Sequence, residues 1–263
     1  MKKVLITGGS SGIGLEMSRH FASNGYELLW ASLFEKELLE AKEKMQVDFP
    51  NLKISHLAID LSNNESPKLI YDWCKKNHRE IDVLINNAGF GTYGYVNEND
   101  MEKELKMIQC NAVSLYTLTR LFLKDMVARD KGQIINISSN SSFQPVPRMC
   151  TYASTKAFVT HFSRGLTEEL KMMNSKVKVL TVCPSAIQDT PFKSHEGMDK
   201  VKTFNGLAYT TSKEVGADVW KAFSKKKDFV VIGWKMRILY FISPLIPYGV
   251  TQFLTKKETE LEV

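Results

Sequence analysis

Hydrophobic and polar positions follow two different periods along this chain. Short aliphatic or β-branched runs alternate with longer stretches in which apolar residues recur three or four positions apart. The short runs predict strands and the longer stretches predict amphipathic helices. Strands are predicted near residues 4–7, 27–32, 53–60, 82–88, 132–138, 177–183 and 229–233. Helices are predicted near residues 13–24, 35–48, 66–77, 100–129, 151–173 and 213–225.

This alternation of strand and helix predicts an α/β fold. We expect a doubly wound, Rossmann-type sheet of about seven parallel strands with helices on both faces. Right-handed crossovers would place the carboxyl ends of all strands at one edge, where such folds bind ligands. Since no linker or repeat interrupts the 263 residues, we predict one domain over residues 1–263.

Composition and charge narrow the possible functions. The net charge of +6 comes from basic residues scattered among acidic ones, so no nucleic-acid partner is predicted. The apolar run at the N-terminus is too short for a signal peptide, and a cytoplasmic location is expected. The four cysteines are Cys74, Cys110, Cys150 and Cys183. They show no C-x-x-C spacing and no histidines cluster near them, so neither a disulfide framework nor a metal site is predicted.

A glycine-rich turn follows the first predicted strand. Gly8, Gly12 and Gly14 lie in GGSSGIG, where strand turns into helix. Glycine permits a tight turn and close approach of the backbone to a phosphate, while a helix N-terminus attracts the anion. The turn therefore predicts a dinucleotide site. The alternative is a simple strand exit, in which Ser10 and Ser11 only form the turn or cap the helix.

Tyr152 and Lys156 are four positions apart on a predicted helix, so they share one face. An ammonium beside a phenol stabilises the phenolate, which would prepare Tyr152 for proton exchange with a carbonyl substrate. Such a pair is more often an exposed surface pair. Four serines after the strand QIINIS change this balance, because one hydroxyl could donate to a substrate carbonyl; loop polarity is the alternative for any one of Ser138, Ser139, Ser141 and Ser142.

Taken in order, the motifs resemble those of the short-chain dehydrogenase/reductase family. TGGSSGIG at 7–14 is similar to its cofactor glycine motif, DLS from Asp60 to its adenine contact and NNAG at 86–89 to its central-strand motif. Asn111 is similar to its helix asparagine, and Tyr152 with Lys156 to its catalytic pair. The resemblance runs from Thr7 to about Thr190.

The resemblance implies a role for each member of a catalytic tetrad. Ser139, thirteen residues before Tyr152, would polarise the substrate carbonyl, and Tyr152 would exchange the proton. Lys156 would bind the nicotinamide ribose and lower the pKa of Tyr152, while Asn111 would hold a water in the proton relay. The family also implies a homodimer or homotetramer paired through the helices near 100–129 and 151–173.

The resemblance further implies a set of cofactor contacts. They are Gly8, Ser10, Ser11, Gly12, Ile13, Gly14, Asp60, Leu61, Asn87, Ala88, Gly89, Tyr152, Lys156, Pro184 and Ile187. The sequence departs from the family pattern after the sixth strand. Ser185 follows Pro184 where the family usually has glycine, and Asp189 stands where it has threonine, with Thr190 one position later.

The end of the second strand bears on the choice of nicotinamide cofactor. A carboxylate there would bind the ribose of NAD and an arginine the phosphate of NADP. This chain has Ser32, Leu33 and Phe34, with no carboxylate until Glu35 and with Lys36 nearby. NADP(H) is therefore favoured over NAD(H).

Two segments are assigned to the substrate end. Residues 188–211 are predicted to be a substrate loop, in which His195 could contact substrate or simply be solvated. The apolar segment near 234–255 could form a cap over the pocket, a face for subunit or membrane-surface contact, or a membrane span. Prolines and marginal length disfavour the span, whereas the flanking basic residues suit an interfacial helix: Lys235, Arg237, Lys256 and Lys257.

The sequence thus predicts an NADP(H)-dependent carbonyl reductase or secondary-alcohol dehydrogenase. A moderately hydrophobic or lipid-like ketone or alcohol is the expected substrate, and a location peripheral to the membrane is an open possibility. The alternative is a non-catalytic, dinucleotide-sensing binding protein on the same fold. An epimerase is a third hypothesis, but it would need a larger C-terminal substrate domain than the residues after Pro184 provide.

Overall fold

The computed structural model describes residues 1–78, 80–190, 210–242 and 245–259. Seven parallel strands form one sheet in the order β3-β2-β1-β4-β5-β6-β7, which confirms the predicted Rossmann-type fold. The strands are β1 (Lys3–Thr7), β2 (Glu27–Ser32), β3 (Ile54–Ala58), β4 (Val83–Asn86), β5 (Gln133–Ile137), β6 (Lys178–Cys183) and β7 (Phe229–Val231).

Helices cover both faces of the sheet. They are α1 (Gly12–Ser23), α2 (Glu35–Asp48), α3 (Ser66–His78), α4 (Met101–Ile108), α5 (Leu115–Ala128), α6 (Cys150–Met172), α7 (Ser212–Ser224), α8 (Trp234–Ile242) and α9 (Tyr248–Glu258). The helix predicted over 100–129 is interrupted, because a π-helical turn at Gln109–Ser114 joins α4 to α5. A 3₁₀ turn, Asn140–Phe143, follows β5.

Strand residues alternate between two apolar layers, as the pleat requires. Val4 and Ile6 of β1 pack with residues of α1, α2 and α7 on one face, where Phe21 contacts Trp220 edge to face. Leu5 points to the other face, among residues of α3, α5 and α6. Because both faces are covered, the central strands are largely buried, whereas the edge strand β3 is mostly half-buried. The carboxyl ends of the central strands are therefore the part of the sheet available for chemistry.

The sheet reverses its direction of growth between β1 and β4, which places a crevice at their carboxyl ends. A buried amide ladder fixes the strands beside this crevice. Asn86 donates to the side chain of Asn136 at 2.8 Å, and Asn136 donates to the hydroxyl of Ser163 on α6 at 2.8 Å. These bonds join β4, β5 and α6, the elements that surround the crevice.

The apolar C-terminal segment contains two short helices, α8 and α9, both of which border the crevice. In the parts of the chain that the structure describes, no helix combines the length and apolarity needed to cross a bilayer. Most of the predicted substrate loop, including His195, lies outside the described residues.

Candidate active site

A cavity of about 950 Å³ lies over the carboxyl edge of the sheet. It brings together most of the residues predicted from the sequence. The predicted site residues that line it are Gly8, Ser10, Ser11, Gly12, Ile13, Asp60, Leu61, Asn87, Ala88, Gly89, Ser139, Tyr152, Lys156, Pro184 and Ile187. Gly14 and Asn111 do not line it, although both lie directly behind lining residues.

The glycine turn forms a close backbone cradle at one end of the cavity. Gly8 and Gly12 have positive φ, and a methyl group on Gly14 would overlap the carbonyl oxygen of Gly8. Asn87 fixes the turn by donating to the carbonyls of Thr7 and Gly8, each at 3.0 Å. These contacts explain why the turn requires glycine where the sequence has it.

The N-terminus of α1 is open toward the cavity. Ser11 is the N-cap residue but makes no side-chain capping bond, and the first turn of α1 contains no acidic residue. The partial positive charge at this helix end is therefore available to an anion. A dinucleotide pyrophosphate fits both this charge and the glycine cradle.

Asp60 and Leu61 line the cavity beyond the end of β3. The Asp60 carboxylate accepts a hydrogen bond from the backbone amide of Ser62 at 2.8 Å, and Ser114 donates to the Leu61 carbonyl at 2.7 Å. The second bond joins this loop to the π-helical turn. The loop that would flank an adenine is thus stabilised by one hydrogen bond within it and one from the π-helical turn.

The residues at and after the end of β2 bear on the choice between NADP(H) and NAD(H). Ser32, Leu33 and Phe34 line the cavity, but Lys36 does not; it is exposed, and its Nζ lies 3.9 Å from Oε1 of Glu40. Glu37 lines the cavity instead. Lys36 was therefore not the residue that bears on the cofactor, and Glu37 takes its place, because the first turn of α2 directs Glu37 and not Lys36 toward the cavity.

Tyr152, Lys156 and Ser139 lie together at the end of β5 and the start of α6, and all three are buried. The Lys156 ammonium donates to the carbonyl of Ile137 at 3.1 Å and lies 5.8 Å from the centre of the Tyr152 ring. The Ser139 hydroxyl accepts a bond from the Ser141 amide at 3.1 Å. A hydroxyl, a phenol and an ammonium therefore line one cavity wall.

Burial dominates the electrostatics of this group. It raises the pKa of Tyr152 to about 12, although a hydrogen bond with Ser139 acts in the opposite direction. Burial also lowers the pKa of Lys156 to about 8. The expected lowering of the Tyr152 pKa by Lys156 is therefore not seen in this structure, where desolvation of the phenol outweighs any effect of the ammonium.

Asn111 lies in the π-helical turn and is almost fully buried. Its amide donates to the Phe90 carbonyl at 2.8 Å and to the Thr155 hydroxyl at 3.2 Å, and its oxygen accepts from the Phe90 amide at 3.1 Å. Asn111 thus connects the loop after β4 to the helix that presents Tyr152. Its role as holder of a catalytic water stays a prediction.

The neighbouring serines differ in what they contact. Ser138 is buried and donates to the Lys156 backbone carbonyl at 2.8 Å, which joins β5 to α6. Ser142 donates to the carbonyl of Ser139 at 2.6 Å. Of the serines considered, Ser139 combines a place on the cavity wall with a bond to Tyr152.

The residues after β6 that depart from the family pattern make specific contacts or line the cavity. The Asp189 carboxylate accepts bonds from the amide and hydroxyl of Ser212, at 2.7 and 2.9 Å, at the start of α7. Ser185 lines the cavity and its hydroxyl lies 3.1 Å from that of Thr210. Thr190 lines the cavity as well. Asp189 therefore holds α7 in place, and the threonine beside it faces the site.

The other end of the cavity is apolar and was not predicted residue by residue. It is formed by the loop before α6 together with α8, α9 and Ile246 just before α9, and its lining includes Phe143, Val146, Met149, Met236, Leu239, Tyr240, Ile246 and Leu254. The hydrophobicity of 234–255 was the signal available in the sequence. That hydrophobicity did not indicate which side chains of the segment point into the cavity.

The fold and this site define the class of dinucleotide-dependent oxidoreductases. The family model described as short chain dehydrogenase matches residues 2–201, and the chain belongs to the short-chain dehydrogenase family. The catalytic roles of the individual residues remain proposals.

Named relatives and solved structures agree with this membership. A very-long-chain 3-oxoacyl-CoA reductase of Rattus norvegicus is 37% identical over 174 residues, 64% of this chain and 54% of that protein, so the chain spans about half the length of that relative. A probable NADP-dependent dehydrogenase of Haemophilus influenzae is 31% identical over 191 residues, 72% of this chain and 73% of that protein. A short-chain dehydrogenase from Sphingobium yanoikuyae, solved with NADPH, superposes with a TM-score of 0.82 at 26% identity, covering 97% and 95% of the two chains.

Proposed function

We propose that this protein is an NADP(H)-dependent reductase of lipid-like ketones, or the corresponding secondary-alcohol dehydrogenase. One observation supports it above the others: a single cavity joins a glycine cradle for a dinucleotide, a wall with Ser139, Tyr152 and Lys156, and an apolar end. A site that only sensed a dinucleotide would need neither a buried phenol nor an apolar compartment beside it.

Each group of cavity residues would have a separate role in the reaction. The glycine cradle, Asp60 and Leu61 would hold the dinucleotide, which supplies the hydride when it is bound. Ser139 would donate a hydrogen bond to the substrate carbonyl and Tyr152 would deliver a proton to the carbonyl oxygen. Lys156, held by the Ile137 carbonyl, would bind the nicotinamide ribose.

NADP(H) is proposed over NAD(H) because no carboxylate follows β2 directly and because the Haemophilus influenzae relative is described as NADP-dependent. Glu37 on the cavity wall acts against this choice. Fluorescence titration of the protein with NADPH and NADH tests it. We expect NADPH to bind at least about tenfold more tightly, which is about 1.4 kcal/mol; a preference for NADH would overturn the proposal.

The substrate class rests on the apolar end of the cavity and on the name of the Rattus norvegicus relative, a reductase of 3-oxoacyl chains. A panel of ketones of increasing chain length, followed through NADPH oxidation, tests this class. We expect kcat/KM to rise with chain length. Tight NADPH binding with no turnover of any ketone would favour the non-catalytic alternative.

We also propose that the protein forms a homodimer or homotetramer through α5 and α6. Val113 in the preceding π-helical turn, Tyr116 on α5 and Phe158 on α6 are exposed apolar residues, and Tyr116 packs on Phe162 of α6. Light scattering with size-exclusion chromatography tests this proposal. Phe158→Glu should shift the wild-type oligomer toward monomer, and an unchanged mass would contradict it.

A further inference from the structure

The cap of the cavity, defined as α8, α9 and the described residues 245–247 before α9, exposes an unusual amount of apolar surface. Helix α8 contains only apolar and basic residues, and none of its nine residues is buried. Phe241 is 70% exposed and Phe253 67% exposed. The large hydrophobic residues of the cap that are exposed are Trp234, Ile238, Leu239, Phe241, Ile242, Leu245, Tyr248, Val250, Phe253 and Leu254. Concentration of this kind marks an interaction surface.

The charge of the cap narrows the kind of partner. The cap, residues 234–258, contains one acidic residue, Glu258, and four basic residues: Lys235, Arg237, Lys256 and Lys257. A second copy of this chain docked symmetrically on the cap would bring these like charges together, which disfavours such a dimer. An anionic lipid surface satisfies both the apolar side chains and the positive charge.

The apolar surface continues into the cavity. Leu239 and Leu254 both line the cavity and are about half exposed, so an apolar path joins its interior to the outer face of the cap. The cap is also attached to the body of the protein: Gln144 donates to the Thr255 hydroxyl at 2.8 Å, and Tyr93 donates to the Thr259 carbonyl at 2.6 Å. The outer face is therefore presented on a fixed support.

We propose that the cap binds the surface of an anionic lipid bilayer and that a lipophilic substrate enters the cavity from the bilayer between Leu239 and Leu254. Docking to the bilayer is inferred from the exposed apolar surface of the cap and from its positive charge. The entry half rests on the proposed function, because it requires a lipid-like ketone as substrate.

Flotation of the full-length, NADPH-loaded protein with vesicles tests docking. We expect wild type to float with vesicles that contain phosphatidylglycerol and to bind weakly to pure phosphatidylcholine. Phe241→Ser/Phe253→Ser should lower the partition coefficient about a hundredfold, because inserting each ring is worth more than tenfold. Val47→Ser/Met172→Ser, equally exposed but outside the cap, is the matched control and should bind like wild type.

A second variant tests how much the positive charge of the cap contributes to vesicle binding. Lys256→Gln/Lys257→Gln should weaken binding to anionic vesicles roughly tenfold and leave binding to neutral vesicles unchanged. Wild type that does not float, or cap variants that float as well as the control, would overturn docking. A change of oligomeric state in the phenylalanine variant without vesicle binding would overturn it in favour of self-association.

Trp234 provides a direct signal from the cap. It is 68% exposed, whereas Trp30 is buried and Trp73 and Trp220 are partly buried. Brominated phosphatidylcholine in anionic vesicles should quench tryptophan fluorescence in wild type. Trp234→Phe should lose this quenching while keeping its vesicle affinity. Quenching that persists in this variant would show that another surface inserts.

Substrate entry is tested with two ketones. A long-chain ketone dissolved in anionic vesicles should be reduced several-fold more slowly by Phe241→Ser/Phe253→Ser, while a short water-soluble ketone should be reduced at the wild-type rate. Equal losses on both ketones would overturn entry from the bilayer. Vesicle binding without reduction of any ketone would contradict the proposed function and leave docking intact, so the two failures are distinguishable.

Discussion

The two ends of the cavity are stabilised by different kinds of interaction. The glycine cradle is fixed by backbone geometry and by short polar contacts, such as those of Asn87 with Thr7 and Gly8. The cap end is formed by two short helices with exposed apolar side chains and a few bonds to the body. Small substitutions in the cradle should therefore lower stability and NADPH binding, whereas substitutions in the cap should change only the binding of the substrate. This difference is the one expected if the cradle holds the dinucleotide and the apolar end holds the proposed substrate.

The wall with Ser139, Tyr152 and Lys156, between these ends, should be the part of the cavity most sensitive to substitution. Tyr152→Phe removes the proton donor with little change of shape, so kcat should fall roughly a thousandfold while NADPH affinity stays within about twofold. Steady-state kinetics on the best ketone and fluorescence titration measure the two quantities. Tyr116→Phe on the exposed face of α5 is the control. Turnover within tenfold of wild type would contradict the assigned role of Tyr152.

The cradle should respond next, and a glycine outside the cradle should respond with the opposite sign. Gly14→Ala forces a methyl group into the backbone carbonyl of Gly8, which should cost about 3 kcal/mol of unfolding free energy and weaken NADPH binding. Gly165→Ala on α6 has open space and should stabilise by about 0.5–1 kcal/mol. Chemical denaturation compares the two. Equal effects would show that the cradle is not tightly constrained.

The buried Lys156 should lower stability in a pH-dependent manner. Its pKa in the folded protein is about 8, against an ordinary value of 10.5, so the unfolded chain binds more protons between these values and stability rises with pH across that window. Lys156→Met should be more stable than wild type by about 2 kcal/mol at pH 7, after about 1 kcal/mol for the lost bond to Ile137.

This advantage of Lys156→Met should shrink as the pH approaches about 10, because wild type is then relieved of the buried charge. Denaturation of both proteins at several pH values measures the difference. Lys124→Met on α5, where the lysine is exposed, should show no such trend. A constant difference at all pH values would mean that packing, and not the charge of Lys156, sets the stability.

Sequence reasoning predicted the cradle better than the cap for a physical reason. Glycine spacing, strand runs and the Tyr152–Lys156 interval are local patterns, and the structure places these residues where the patterns indicated. The π-helical turn at Gln109–Ser114 has no local signature, because its residues favour an ordinary helix equally well. The inward side chains of α8 and α9 depend on how those helices pack, which hydropathy alone does not determine. Glu37 and Lys36 show the same limit on α2.

The cap should show the smallest effect, confined to substrate. Leu239→Asn and Leu254→Asn each place a polar amide on the apolar path, so KM for a long-chain ketone should rise about tenfold, which is about 1.4 kcal/mol. KM for a short ketone, kcat and NADPH affinity should stay within about twofold of wild type. Leu105→Asn, exposed on α4 and outside the cavity, is the control. An equal rise in KM for both ketones would mean that the cap supports the whole site, and the contrast between a rigid cradle and a tunable cap would then fail.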